Sequence, residues 1–315
     1  MAGGQERVLR RRIKSVQSTK KITRAMELIA SSQIVRSQNR IRAGAPYQAG
    51  IAQVLAAAAG DAGDTAGRVI GVPDSPAHIL VLALVADRGL CGGYNANVLR
   101  RVERLVRAGR DEGKDYRIVV VGKKAQSYLR FRGIEVAAAF TGFSDRPTFE
   151  DARQVAAAVT PHFVDERIDQ VFVVSTRFLS AGTQVVEARQ LLPLPEPAAA
   201  VGDGGDRERA AAMAGAGEPE ASAGYTEFEP ESADLLVELV PRYVEAAVFG
   251  ALLEAAASEH TARQRAMAAA TDNADELVKT LTRVMNRARQ DAITTEIMEI
   301  VGGAEALRQS AKAEE

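Results

Sequence analysis

Three short stretches carry residue types that could do chemistry. Asp87-Arg88-Gly89-Leu90-Cys91-Gly92-Gly93 follows an apolar run at 78–86 and precedes a helical pattern from Asn95. Glycines placed there let backbone N–H groups approach a phosphate at a helix N-terminus. Gly122-Lys123-Lys124 stands in a similar place after a second apolar run. Neither makes a nucleotide fingerprint. The first lacks the G-x-G-x-x-G spacing, and the second lacks both the preceding glycine and the hydroxyl residue that would hold Mg²⁺. Ser175-Thr176-Arg177 offers hydroxyls near a strand end. No His or second acid is positioned by sequence to complete a triad, and G-x-S-x-G is absent. Asp87-Arg88 reads as a surface ion pair. The expectation is a tight strand-to-helix turn with Cys91 packed as a small apolar residue, and no catalytic, cofactor or metal residues.

The elements that would hold these residues alternate. Strands are predicted at His78–Ala86, Tyr116–Val121, Val136–Phe140, Gln170–Ser175 and Gln184–Gln190. Helices are predicted from Asn95 to about Arg110, Lys123 to Phe131, and Phe149 to about Phe163. Such alternation, with a near-continuous apolar first strand, implies a mostly parallel sheet covered by helices. Residues 193–230 break the pattern: Pro193, Pro195 and Pro197 lead into a Gly, Ala, Asp and Glu tract, expected to be a mobile acidic loop.

Composition excludes several classes. One cysteine, Cys91, allows neither an internal disulfide nor a Cys-rich metal site, and three scattered histidines argue against a His-based one. Net charge is -1, so the whole chain has no bias toward nucleic acid. Charge is unevenly spread. Residues 1–42 hold eleven Lys or Arg against Glu6 and Glu27, and residues 203–234 hold nine acids against Arg207 and Arg209. No apolar run approaches the roughly 18 residues of a membrane span. The N-terminus lacks the apolar stretch of a secretory signal, and its amphipathic pattern runs past the length of a transit peptide.

Both ends read as long helices. All eleven prolines lie between Pro46 and Pro241, and both ends are rich in good helix formers. A helix from Arg242 to about Gln309 would rise roughly 100 Å. A compact chain of this length has a diameter of roughly 50 Å, so such a helix must protrude or bend. Pro241 is expected to kink it, with a shorter helix from about Ser232 before it. Its apolar stripe reads Leu277, Leu281, Val284, Ala288, Ile293, Ile297 and Ile300, at coiled-coil spacing. The N-terminal helix offers Leu9, Ile13, Val16, Ile22, Met26 and Ile29. An antiparallel intramolecular pair is the natural match. Lys20, Thr23 and Gln33 interrupt one side of that seam, and Thr271, Asp272 and Asn273 the other. Such a break is either a locally solvated face or a surface that meets another protein.

The segments Ile13–Ala30 (IKSVQSTKKITRAMELIA), 87–95 (DRGLCGGYN) and 267–303 (MAAATDNADELVKTLTRVMNRARQDAITTEIMEIVGG) closely resemble signatures of the gamma subunits of F-type ATP synthases. With the helix–domain–helix plan, the resemblance covers nearly the whole chain. It implies a long antiparallel coiled coil of N- and C-terminal helices plus a central Rossmann-like α/β domain. The implied divisions are an N-terminal shaft helix at 1–60, the α/β domain at 61–230 and a C-terminal shaft helix at 231–315.

The resemblance further implies a central rotor shaft, itself non-catalytic and without a cofactor, that couples proton-driven rotation of a membrane ring to ATP synthesis. Its implied partners are a hexamer of alpha and beta subunits, the epsilon subunit and a rotor ring of c subunits, with one copy per complex. The implied place is peripheral, at the cytoplasmic face of the cell membrane, without membrane insertion or nucleic-acid binding. By motif, Arg24, Met26, Arg263, Gln290, Thr294 and Glu296 would contact catalytic subunits. Ile293, Ile297, Ile300 and Val301, with Leu307, would form a tip held in a hydrophobic bearing. Tyr225, Glu227, Phe228 and Glu229 would meet the ring or epsilon. Plant-type members carry a two-cysteine redox switch, which Cys91 alone cannot make. Two other readings stand beside this one: a non-rotary coiled-coil scaffold with a globular head, and a nucleotide-dependent enzyme with helical arms.

Overall fold

The computed structural model describes residues 2–62, 75–164, 167–194 and 231–313. The acidic loop and the expected ring-contact residues Tyr225, Glu227, Phe228 and Glu229 lie outside the described residues, as does the side chain of Leu307. The chain forms two compact units, residues 30–263 and residues 1–29 with 264–315.

The larger unit is built on five strands: β1 (His78–Leu84), β2 (Asp115–Val121), β3 (Ala138–Phe140), β4 (Gln170–Phe178) and β5 (Gln184–Leu192). They lie in the order β3-β2-β1-β4-β5. The first four run parallel, and β5 returns antiparallel to β4. All residues of β1 after His78 are buried, because both faces of this central strand are covered. On one face Ile79, Val81, Ala83, Ile118 and Val120 pack against α2 (Tyr94–Asp111) and α3 (Lys123–Phe131). On the other, Leu80, Leu82, Leu84, Val119 and Val121 meet α4 (Phe149–Ala157), α5 (Thr160–Val164) and parts of the two terminal helices. Those helices are α1 (Ala2–Ala62) and α6 (Ser232–Ala313). The result is a three-layer α/β unit with a mostly parallel sheet, as the alternating pattern implied.

One helix boundary differs from the sequence reading. The helix expected from Phe149 to Phe163 is two helices, α4 and α5. Pro161 lies in the first turn of α5, where its missing N–H is tolerated, but its ring disfavours a helical residue before it. α6 begins at Ser232, as expected, with Pro241 inside it, and Pro46 likewise lies inside α1. Around Pro241 the helix is held by tertiary packing: Leu236, Val240 and Val244 are buried in the core of the unit.

In the smaller unit, the first half of α1 pairs with the second half of α6. Thr23 Oγ1 and Thr271 Oγ1 are 2.8 Å apart, and Lys20 Nζ donates to Asp275 Oδ1 at 2.6 Å. Stepping back three residues on α1 while stepping on four along α6 makes the pair antiparallel. Buried and half-buried positions fall on strict 3- and 4-residue steps: Glu6, Leu9, Ile13, Val16, Lys20, Thr23 and Glu27 on α1, and Met267, Thr271, Ala274, Val278, Leu281, Met285 and Ala288 on α6. This is a coiled-coil seam.

The seam corrects the sequence reading. Lys20, Thr23 and Thr271 do not interrupt it; they are seam residues, the two threonines bonded to each other and Lys20 to Asp275. Ile22 and Ile29 (both 61% exposed), expected in the seam, instead face outward, as do Leu277 and Val284.

Candidate functional site

The Gly-rich turn after β1 is the polar centre of the larger unit, and its groups are used internally. The Asp87 carboxylate accepts backbone N–H bonds from Lys123 (3.0 Å), Gly142 (2.8 Å) and Ser144 (3.2 Å). Lys123 begins α3, so this side chain occupies the helix N-terminus that a phosphate would need. Gly122 has φ +104, and a Cβ there would lie 2.1 Å from the Val85 carbonyl oxygen, so the turn requires glycine. Asp87 is thus an anchor for three backbone segments and not half of a surface pair with Arg88.

A buried chain of hydrogen bonds runs from this anchor to α6. Ser144 Oγ accepts from Asp87 N at 2.9 Å and donates to Glu259 Oε2 at 3.4 Å. Arg263 donates to Glu259 Oε1 at 2.6 Å and to the Gly89 carbonyl at 3.3 Å. Glu259 is 1% exposed. Burial pushes its carboxyl above the ordinary value, while the Arg263 guanidinium pulls it back. Tyr94 donates to the Ala255 carbonyl at 3.2 Å, and burial holds its phenol far up. His260 Nε2 lies 3.0 Å from the Asp145 carbonyl oxygen, and burial lowers its imidazole. Cys91 is buried, and burial raises its thiol, which makes it a poor nucleophile. Sequence reasoning missed this network because Asp87, Ser144 and Glu259 are far apart along the chain.

The remaining chemical candidates also lie within the fold. Ser175 and Thr176 are buried, and Ser258 Oγ donates to the Thr176 carbonyl at 3.1 Å. Arg177 lies 4.0 Å from Glu187 across the β4–β5 pair. Among the described residues, no group of three His, Cys, Asp or Glu side chains comes together to hold a metal. No helix among them is long and apolar enough to cross a membrane.

The predicted contact residues fall into different settings. Arg263 is 8% exposed and its guanidinium is used within the chain, so it is not an outward-facing group. Arg24 is exposed and holds both oxygens of Glu27, at 2.8 and 2.9 Å. Met26 is half-buried, whereas Gln290, Thr294 and Glu296 are exposed. Thr294 Oγ1 donates to the Gln290 carbonyl at 3.0 Å. Ile293, Ile297, Ile300 and Val301 all face outward, and every residue from Ile293 to Ala304 is exposed. A second outward apolar set, Val8, Ile22, Leu28 and Ile29, lies on α1.

Fold and site define a class: a protein with a helix-pair unit that presents apolar side chains outward, and a three-layer α/β unit whose polar centre is internally satisfied. The family model described as ATP synthase matches residues 5–307. The ATP synthase gamma chain of Parafrankia sp. (strain EAN1pec) is 46% identical over 98% of this chain and 99% of that relative. The ATP synthase gamma chain of Frankia casuarinae is 45% identical over 96% and 98%. A chain in the cryo-EM structure of the Euglena gracilis mitochondrial ATP synthase matches the fold with a TM-score of 0.67, 20% identity, and coverage of 98% of this chain and 97% of that one. The chain belongs to the ATP synthase gamma chain family.

Proposed function

We propose that this chain is the central rotor shaft of an F-type ATP synthase. It couples proton-driven rotation of the membrane ring to ATP synthesis in the catalytic subunits, and it does no catalysis itself. The observation that carries this reading is the outward placement of large apolar side chains on both terminal helices. Ile22 and Ile29 on α1, and Ile293, Ile297, Ile300 and Val301 on α6, are each about half exposed or more. Groups of large apolar side chains left exposed mark protein–protein interfaces. A surrounding ring of alpha and beta subunits is the partner that family membership supplies.

In this reading Arg24, Met26, Gln290, Thr294 and Glu296 face the catalytic subunits. Ile293, Ile297, Ile300 and Val301 form the tip within a hydrophobic bearing. Arg263 acts from inside, by holding α6 to the turn at Gly89. Tyr225, Glu227, Phe228 and Glu229 are assigned to the ring and epsilon by motif alone. The chain divides into shaft helices at 1–60 and 231–315 and an α/β domain between them. It is present once per complex, peripheral at the cytoplasmic face of the cell membrane.

Co-purification tests the reading. A tagged chain should come out of gently solubilised membranes as one copy beside three pairs of larger nucleotide-binding subunits. ATPase activity should be found in the complex and not in the isolated chain. Recovery as a lone protein that binds nucleotide by itself would overturn the reading.

A further inference from the structure

α2 carries a row of arginines on its outer flank. Arg100, Arg104 and Arg107 are exposed and stand at four- and three-residue steps, so they stack along one face. With Asn97, Glu103 and the start of β5 (Gln184, Val185 and Val186), they line a groove of about 760 Å³. The Glu103 carboxylate is already engaged by Arg132 at 2.8 Å. Arg100 reaches only Asn97 Oδ1 (2.6 Å) and the Ala96 carbonyl (3.2 Å), and Arg104 only the Arg100 carbonyl (3.4 Å). Among the described residues, none of the three arginines has a carboxylate partner. The groove is therefore a concentration of uncompensated positive charge.

Its other wall is a sheet edge. β5 is the last strand, and its outer N–H and C=O groups pair with no described strand. Such an edge is a template for an added strand. Val186 and Ala188 pack on the α2 side of the sheet. Alternate residues of a strand laid beside β5 would face that same side, roughly 7 Å apart. The three arginines span about 10 Å of helix, within reach of three such residues given the length of the arginine side chain.

We propose that this groove binds an extended acidic segment of a partner protein, which adds to β5 as a strand and points alternate carboxylates at Arg100, Arg104 and Arg107. The valines and the strand edge favour a polypeptide over a bare polyanion, which would use neither. The site lies in the α/β unit and is separate from the apolar helix surfaces of the shaft reading.

The test is fluorescence anisotropy of the full chain with a labelled heptapeptide of alternating Glu and Val, at low and moderate salt. Saturable binding is expected, weakening as salt rises. It should fall at least tenfold when Arg100→Glu, Arg104→Glu and Arg107→Glu are combined, a change confined to exposed positions. It should also fall at least tenfold when alternate peptide nitrogens are methylated, which removes strand pairing and keeps every charge. Absence of saturable binding would overturn the proposal. So would equal binding of the methylated peptide or of inorganic polyphosphate, since either would make the groove a site for charge alone.

Discussion

At the scale of single residues, the family's central turn is a structural joint. Asp87 gathers three backbone N–H groups, and Glu259 with Arg263 ties the turn to α6. Removing one member of a buried ion pair leaves the other charge uncompensated. Glu259→Ala should therefore cost about 3–5 kcal/mol, and replacing both residues by Met should recover most of it; urea unfolding of the variants checks this. His260 makes the same joint sensitive to pH. Burial lowers its folded-state value below the ordinary 6.5, so the unfolded chain takes up a proton that the folded chain resists. Its contribution is fully present above 6.5 and is lost as pH falls through the folded value. Thermal unfolding at pH 7.5 and 5.5 should show a larger drop for the native chain than for His260→Gln, whose amide can still donate to the Asp145 carbonyl. Little of this joint was legible in the sequence. The turn itself was readable from its glycines. Its partners, at positions 144, 259 and 263, are joined to it only by tertiary folding, and no local spacing announces them.

At the scale of elements, the strands were legible and the seam was only half so. Continuous apolar runs mark β1, β2 and β4 because both sheet faces are covered. Hydrophobicity alone picks the wrong face of the seam. Ile22 outranks Thr23 on any apolar scale, yet Thr23 is buried against Thr271 and Ile22 faces out. The strict 3- and 4-residue steps from Leu9 and Ile13 already pointed to Lys20 and Thr23. What hid them is that the exposed face is apolar as well, carrying Val8, Ile22, Leu28 and Ile29. The two classes of position should separate on substitution. Ile13→Ala should cost the isolated chain about 2–4 kcal/mol by leaving a cavity in the seam. Ile22→Ala should stay within about 0.5 kcal/mol and yet weaken assembly with the alpha and beta subunits. Thermal unfolding of the isolated chain, beside co-purification yield, reads the two effects separately.

At the scale of the whole molecule, a net charge of -1 conceals a basic N-terminal segment and an acidic one at 203–234. Arg11, Arg12 and Lys14 on α1 are exposed, and the described residues offer them no ion pair. Arg10 pairs with Glu6 at a surface site where such pairs contribute little. Neutralising Arg10, Arg11, Arg12 and Lys14 together should weaken hexamer assembly at low salt and change it little at high salt, where screening already removes the attraction. Equal assembly at both would remove charge from the account. The central claim is mechanical, and rotation tests it most directly. Ser127, exposed on α3, can be replaced by cysteine to carry a bead, because Cys91 is buried and will not compete. With the alpha–beta hexamer fixed to a surface and ATP supplied, the bead should turn in one direction and pause at three positions per revolution, one for each catalytic site. A bead that stays fixed, or wanders without direction while the complex hydrolyses ATP, would contradict the shaft reading.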